Sequence, residues 1–310
     1  MIGLKNPDLD MQLYPPSHYD DAANGYTLIQ TVPLASAMGA EIRGVDIANI
    51  TDEQFVQVRD ALFRYKMIYF RDQHLEIEHQ EALTLRFGEF GTDAYTKGMP
   101  GHPHVQCLVK EASTVVDRVF GDGWHTDSPF LARPPSISLL YGKDIPPYGG
   151  DTWWCNTVLA YEFLSPRMKS LLVGLKVHMS AKLAIQRTVR KDNQGKPIVG
   201  EMKLSMDEEK MITGNFHPLV RTHPDTGFKS LFVDQIYSQG IEGLTEEEAR
   251  PLLDFLGRHV TSEEFCCRLR WTPGTLTIWD NRQTVHKAYN DYDGYRREMF
   301  RTIVNGEVPV

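Results

Sequence analysis

The segment GWHTDSPF holds His125 and Asp127 two residues apart. In an extended segment both side chains point to one face, because strand side chains alternate. A histidine and a carboxylate on one face make a two-point claw for a divalent metal. A third ligand must come from elsewhere, and His286 in IWDNRQTVHKAY follows an apolar run and a turn-like Asp280-Asn281. Two imidazoles and one carboxylate on one side of a metal form the facial triad of non-haem Fe(II) oxygenases. The remaining adjacent positions suit the keto-acid end of 2-oxoglutarate and O2. Two neutral imidazoles and one aspartate leave a divalent site positive, which favours an anionic chelator.

Taken alone, a His-x-Asp pair is weak, and other histidines compete. His102 and His104 share the same spacing, and His178, His217 and His223 lie in strand-like runs. These five read as packing or surface residues. What raises His125, Asp127 and His286 above them is Arg297, eleven residues after His286. A hairpin through Asp291 and Asp293-Gly294 would return the next strand beside His286. An arginine fork matches a carboxylate bidentately and keeps its charge, so Arg297 could hold the distal end of 2-oxoglutarate. Arg296, Arg297 and Arg301 lie close together, and any of them taken singly reads as a surface arginine. Arg301, four residues on in REMFRTIV, falls on the same strand face as Arg297, about 13 Å along. It has no partner identifiable from sequence, so an anionic group of the prime substrate is its expected partner. Ser128, directly after Asp127, is a second candidate substrate contact.

The elements that must position these residues read as many short strands between turns, with a few peripheral helices. TLIQTVPL, AEIRGVDI, MIYF, HVQCLV, ISLLYGKD, DTWWC and LKVHMSA are strand-like, as are LVRTH, KSLFVDQIY, FCCRLRW, GTLTIWDN and EMFRTIVNG. Helices are predicted over Thr51–Tyr65, Glu76–Phe87, Val158–Leu172 and Thr245–Val260. Thr51 with Gln54 and Thr245 with Glu248 have capping-box spacing. The pattern predicts a mainly β fold, a double-sheet jelly roll. Residues 1–25 are expected to be an N-terminal arm, poorly ordered or docked on a partner subunit. Residues 26–310 are expected to form one domain, with a lid over 182–215.

The charge balance of 33 basic against 41 acidic residues, a net of -8, argues against a nucleic-acid partner. No apolar run reaches the roughly 18 residues of a membrane span, and the start lacks a signal-peptide pattern. Four cysteines without a CxxC pair argue against a disulfide framework or zinc knuckle and for a cytoplasmic protein. A homo-oligomer is expected.

The motifs GAEIRGVDI, YFRDQ, RFGEFG, WHTDSPF, YGGDTWWCN, HPLVRTHPDTG, IWDNRQTVH and RREMFRTIVNG, in that order, run from about Gly39 to Val308. Together they resemble the taurine dioxygenase family of 2-oxoglutarate-dependent oxygenases, which also holds the 2,4-dichlorophenoxyacetate and phenoxypropionate dioxygenases. The resemblance implies a double-stranded β-helix (jelly-roll, cupin-like) fold and His125, Asp127 and His286 as iron ligands. It implies Thr152 and Arg297 as contacts of 2-oxoglutarate, and Arg301 as a contact of the substrate anion. VFGDG before WHTDSPF looks closer to the phenoxypropionate dioxygenases. Asp93 and Gly121 stand where taurine dioxygenase has a histidine and an asparagine for its amino-sulfonate, which argues against taurine. The expected reaction is hydroxylation of a small anion, an aryloxyalkanoate or other carboxylate, with release of succinate and CO2. A sulfonate or sulfate ester is the alternative within the family. A metal-dependent hydrolase is the alternative outside it, since the same ligand set suits zinc and an activated water. A non-catalytic jelly-roll binding protein would need no intact triad.

Overall fold

The computed structural model describes residues 14, 16–114, 121–188 and 204–310. Fifteen strands are present among them. They are β1 (Gln30–Pro33), β2 (Ala40–Arg43), β3 (Met67–Phe70), β4 (Gln106–Lys110), β5 (Ile137–Asp144), β6 (Thr152–Asn156), β7 (Lys176–Met179), β8 (Asn215–Pro218), β9 (Val220–Thr222), β10 (Lys229–Leu231), β11 (Ser238–Ile241), β12 (Cys266–Leu269), β13 (Leu276–Asp280), β14 (Thr284–Ala288) and β15 (Arg297–Val304). Seven of them form the major sheet in the order β1-β2-β3-β13-β5-β15-β4. Two three-stranded sheets, β12-β6-β14 and β11-β7-β8, and the β9-β10 pair make up the minor layer.

Alternation along the major strands explains the layering. Met67, Tyr69, Leu140, Trp279 and Met299 join one apolar cluster with Trp154, Val177 and Met179 of the minor layer. Their neighbours Ile68, Phe70, Leu139, Tyr141 and Ile278 join a second cluster with Phe55, Val58, Leu62 and Leu83 of the helices. Both faces of the central strands are thus buried, so MIYF and ISLLY read as continuous apolar runs rather than as alternating ones. The indoles of Trp154 and Trp279 meet edge-on at 5.8 Å across the gap between layers. This is the expected jelly-roll architecture.

Two helices cover the outer face of the major sheet, α1 (Asp52–Tyr65) and α2 (Ile77–Phe87). The Thr51–Gln54 capping box opens α1, and Phe55, Val58, Leu62 and Tyr65 are its buried face. The helix expected over Val158–Leu172 is two helices, α3 (Thr157–Glu162) and α4 (Pro166–Leu172). Pro166 occupies the first turn of α4, where its missing N–H costs nothing. Of the expected lid, residues 182–188 form α5 (Lys182–Thr188), and α6 (Glu208–Thr213) precedes β8. Residues 189–203 lie outside the described residues. So does most of the expected N-terminal arm, though Pro16–Tyr19 forms a 3-10 turn and the Tyr19 hydroxyl donates to the Ser36 carbonyl at 2.5 Å. The Thr245–Glu248 capping box opens α7 (Glu246–Val260) as expected.

The cysteines correct one expectation. Cys155 and Cys266 stand directly opposite in the antiparallel pairing of β6 and β12, with Cα atoms 4.1 Å apart, and are joined as a disulfide. Their separation of 111 residues hides the pairing from any sequence spacing rule. Among the described residues no helix is long and apolar enough to cross a membrane.

Candidate active site

His125 and His286 are brought together by the backbone. The His125 N–H donates to the His286 carbonyl at 3.0 Å, and the His286 N–H donates back at 2.7 Å. This isolated antiparallel bridge sets the two rings 4.2 Å apart. Asp127 Oδ1 faces both, 3.9 Å from His125 Nε2 and 3.7 Å from His286 Nε2. All three residues are buried, and they are the cluster among the described residues able to converge on one metal ion. His125 Nδ1 lies 2.7 Å from the Gly123 carbonyl, which can only accept, so the proton sits on Nδ1 and the Nε2 lone pair faces the centre. Gly121, at φ +83°, backs the same ring, and a Cβ there would lie 3.3 Å from His125 Cε1. The donor set and its tautomer fit a divalent iron.

A second set of groups holds the triad in place. The Ser138 hydroxyl donates to Asp127 Oδ2 at 2.5 Å, and the Asn281 amide donates to Ser138 at 2.9 Å. Trp279 Nε1 in turn donates to Asn281 Oδ1 at 2.9 Å. Between the two ligands, the Thr126 N–H donates to Asp234 Oδ2 at 3.4 Å and its hydroxyl to the Asn281 carbonyl at 3.0 Å. Burial opposes ionisation of Asp127, but the Arg301 guanidinium nearby and the Ser138 hydroxyl hold its carboxyl below the usual range. Burial, with His125 beside it, pushes the His286 imidazole down to about 3, so it stands neutral as a ligand must.

Arg297 and Thr152 are brought together through an indole. Trp271 Nε1 donates to Thr152 Oγ1 at 3.0 Å, and the Arg297 guanidinium lies 5.8 Å over the same indole. Thr152 keeps its own O–H to donate. Arg297 Nη2 donates to the Gly150 carbonyl at 3.1 Å, while its buried Nε has no hydrogen-bond partner among the described residues. Gly150 has φ +66°, and a Cβ there would press on the Tyr292 ring at 3.2 Å and on Arg297 Nε at 3.5 Å. The route to this position differs from the expected hairpin. β14 pairs with β6 in the minor layer, whereas β15 pairs with β4 and β5 in the major sheet. The intervening segment crosses between layers, pinned where the Gly150 N–H donates to Asp291 Oδ1 at 2.7 Å and where Tyr292 is buried.

Arg301 lies on the same face of β15 and lines a narrow cavity with Asp93, Tyr95, His125, Asp127 and Ser128. Pro135, Tyr237 and Ile303 complete its wall. Ser128 holds a left-handed backbone at φ +42°, unusual outside glycine and asparagine, which turns the chain sharply after Asp127. The structure overturns one expectation here, because Arg301 is not without a partner. Its Nη2 pairs with Asp93 Oδ2, and its Nη1 lies 3.8 Å from Asp127 Oδ1. Burial alone would pull the guanidinium down, but Asp93 and Asp127 hold it above its ordinary value.

Arg296, the third arginine, ties Glu111, Asp144 and Glu298 at the surface. The five competing histidines have structural partners: His102 meets Glu81, His104 stacks on Phe90, and His178 and His217 contact the Thr213 and Leu131 carbonyls. His223 pairs with the buried Asp280 at 2.8 Å. Ser138, Asn281, Asp234 and Trp271 were not found by sequence reasoning, since each acts through a contact far away along the chain.

Three comparisons bear on this geometry. The family pattern described as "Taurine catabolism dioxygenase TauD, TfdA family" matches residues 30–303. The alpha-ketoglutarate-dependent sulfate ester dioxygenase of Pseudomonas putida is 33% identical over 290 residues, 90% of this chain and 90% of that protein. The alpha-ketoglutarate-dependent 2,4-dichlorophenoxyacetate dioxygenase of Cupriavidus pinatubonensis is 33% identical over 284 residues, 87% of this chain and 95% of that protein. Among solved structures, a putative alpha-ketoglutarate-dependent taurine dioxygenase from Burkholderia xenovorans superposes with a TM-score of 0.76 at 34% identity. It covers 91% of this chain and 94% of its own.

Proposed function

The chain belongs to the TauD, TfdA family of 2-oxoglutarate-dependent dioxygenases, and on that premise we propose that it oxidises a small organic acid held between His125, Ser128 and Arg301. The enzyme uses Fe(II), 2-oxoglutarate and O2, which decides against the hydrolase alternative. When bound, the iron would let 2-oxoglutarate give two electrons to O2, so that one oxygen atom leaves in succinate beside CO2 and the other oxidises the C–H bond.

Everything else is the work of the chain. His125 and His286 offer Nε2 and Asp127 offers Oδ1 to the iron, and Ser138 keeps the second oxygen of Asp127 occupied so that one oxygen points inward. Arg297 and the Thr152 hydroxyl bind the distal carboxylate of 2-oxoglutarate, oriented by Trp271 between them. Burial of all these groups excludes water, which strengthens each charge-assisted hydrogen bond. Arg301 receives the acid group of the prime substrate beside the metal position, close to Ser128 and Tyr237.

The observation that carries the proposal is that the Arg301 guanidinium lines the same buried cavity as His125 and Asp127, two of the three converging donors. The named substrates of the two relatives, a sulfate ester and 2,4-dichlorophenoxyacetate, both present an acid group to bind. For this chain the class is an aryloxyalkanoate or other carboxylate, with sulfonates and sulfate esters as the alternative. The test is succinate release with Fe(II) and 2-oxoglutarate against panels of aryloxyalkanoates, aliphatic carboxylates, alkyl sulfates and sulfonates. Stimulation above the uncoupled rate by acids alone is expected. Stimulation only by neutral compounds would overturn the assignment.

A further inference from the structure

We infer that Asp93 is a specificity-determining residue that restricts the Arg301 subsite to singly charged acids and excludes dianions such as phosphate monoesters; this rests on the reading of Arg301 as the acid receptor.

Asp93 is placed so that it cannot leave when substrate arrives. Its Oδ1 accepts the backbone N–H groups of Tyr95 at 2.7 Å and Thr96 at 2.9 Å. Its carbonyl accepts the Ser205 hydroxyl, and its Oδ2 pairs with Arg301 Nη2. Both side chains are buried, at 3% exposure for Asp93 and 7% for Arg301. Turning Asp93 away would strand two backbone N–H groups as well as a buried guanidinium, so the carboxylate stays beside the incoming acid.

The pair is therefore a dipole with little net charge. A monoanion still gains from the geometry of the guanidinium, whose fork offers several N–H groups in one plane. Its attraction to Arg301 is offset by repulsion from Asp93, whose Oδ2 pairs with Nη2. A second negative charge finds no second cation among the residues that line the cavity to repay its lost hydration. It doubles the repulsion from the fixed Asp93 carboxylate in a site shielded from solvent. Carboxylates, sulfonates and sulfate monoesters carry one charge. Phosphate monoesters have nearly the shape of sulfate esters but carry close to two charges above their second pKa near 6.

Phenyl sulfate and phenyl phosphate at pH 8 isolate charge from shape. Their dissociation constants are measured on the anaerobic enzyme loaded with Fe(II) and 2-oxoglutarate. The wild-type protein is expected to bind the sulfate at least about tenfold more tightly. Asp93→Asn should bring the two within about threefold of each other, chiefly by gain of phosphate affinity, while Asp93→Glu should keep the sulfate preference. Equal binding of both ligands by the wild type overturns the inference without any variant having to fold. So does an unchanged ratio in Asp93→Asn. Loss of phenyl sulfate binding in Arg301→Ala alongside such an unchanged ratio overturns only the role of Asp93. Failure of the wild type to bind either acid overturns the acid-receptor reading and this inference with it.

Discussion

Ser138 Oγ lies 2.5 Å from Asp127 Oδ2, the oxygen turned away from the two imidazoles, and donates its proton there. The hydroxyl thereby chooses which carboxylate oxygen faces the metal position, and Asn281 orients the hydroxyl in turn. Ser138→Ala should weaken Fe(II) binding by about 10- to 100-fold, the usual effect of losing a group that orients a metal ligand. Titration with Co(II), followed by its visible absorption, checks this without turnover. Unaltered affinity would show that Asp127 is aligned by its other neighbours alone.

Each of His125→Ala, Asp127→Ala and His286→Ala should abolish succinate formation. The fold should survive in all three, because the apolar clusters on both faces of the major sheet contain none of these residues. Circular dichroism and thermal unfolding report the fold, and single-turnover succinate assays report the chemistry. Substantial activity in any one variant would remove that residue from the ligand set.

The two inward arginines should separate kinetically. Arg297→Ala should raise the KM for 2-oxoglutarate by one to two orders of magnitude, roughly the 1.5–3 kcal/mol of a charged hydrogen bond. Arg301→Ala should instead raise the KM for the prime substrate and leave 2-oxoglutarate affinity nearly unchanged. Thr152→Val should cost about 2- to 10-fold in 2-oxoglutarate affinity, and Thr152→Ser should restore it. Equal weakening of 2-oxoglutarate by both arginine variants would refute the division of roles.

Lys66 gives a stability prediction away from the site. It ends α1 in a left-handed conformation at φ +66°, with Nζ donating to the carbonyls of Phe63 at 3.2 Å and Arg64 at 2.8 Å. Burial pulls its ammonium from 10.5 down to about 8. Between those values the unfolded chain keeps the proton and the folded chain releases it, so the unfolded state binds more protons and stability rises with pH. The buried charge costs most below pH 8, and the penalty of about 3 kcal/mol is gone above the ordinary lysine value. Urea unfolding at pH 7.5 and pH 10 should show the wild type gaining on Lys66→Met by an amount of this order. Parallel behaviour of the two proteins would show that Lys66 titrates normally.

Much of the architecture could be read before any coordinates. ISLLYGKD coincides with β5, and the Thr51 and Thr245 capping boxes open α1 and α7. Those features are local, and local chemistry specifies them. The triad was legible because two ligands share one short segment and the third precedes an arginine. What escaped was long-range. The Asp93–Arg301 contact spans 208 residues and the Cys155–Cys266 bond spans 111. The spacing from His286 to Arg297 gave a loop length but could not say that the loop changes sheets. A two-residue period reveals which face a side chain takes, but not which layer its strand joins.

That change of sheet makes the separation between the layers a ruler for the reaction. His286 belongs to the minor layer, while Arg297 and Arg301 belong to the major one. On the roles proposed for them, the reach from metal to each arginine is therefore measured across the packed gap, not along a single strand. Trp154 and Trp279 are spacers in that gap, and neither lines the cavity. Shortening such a spacer would bring a different carbon of a bound acid before the oxidant. On those proposed roles, regiochemistry is in that sense a property of the core.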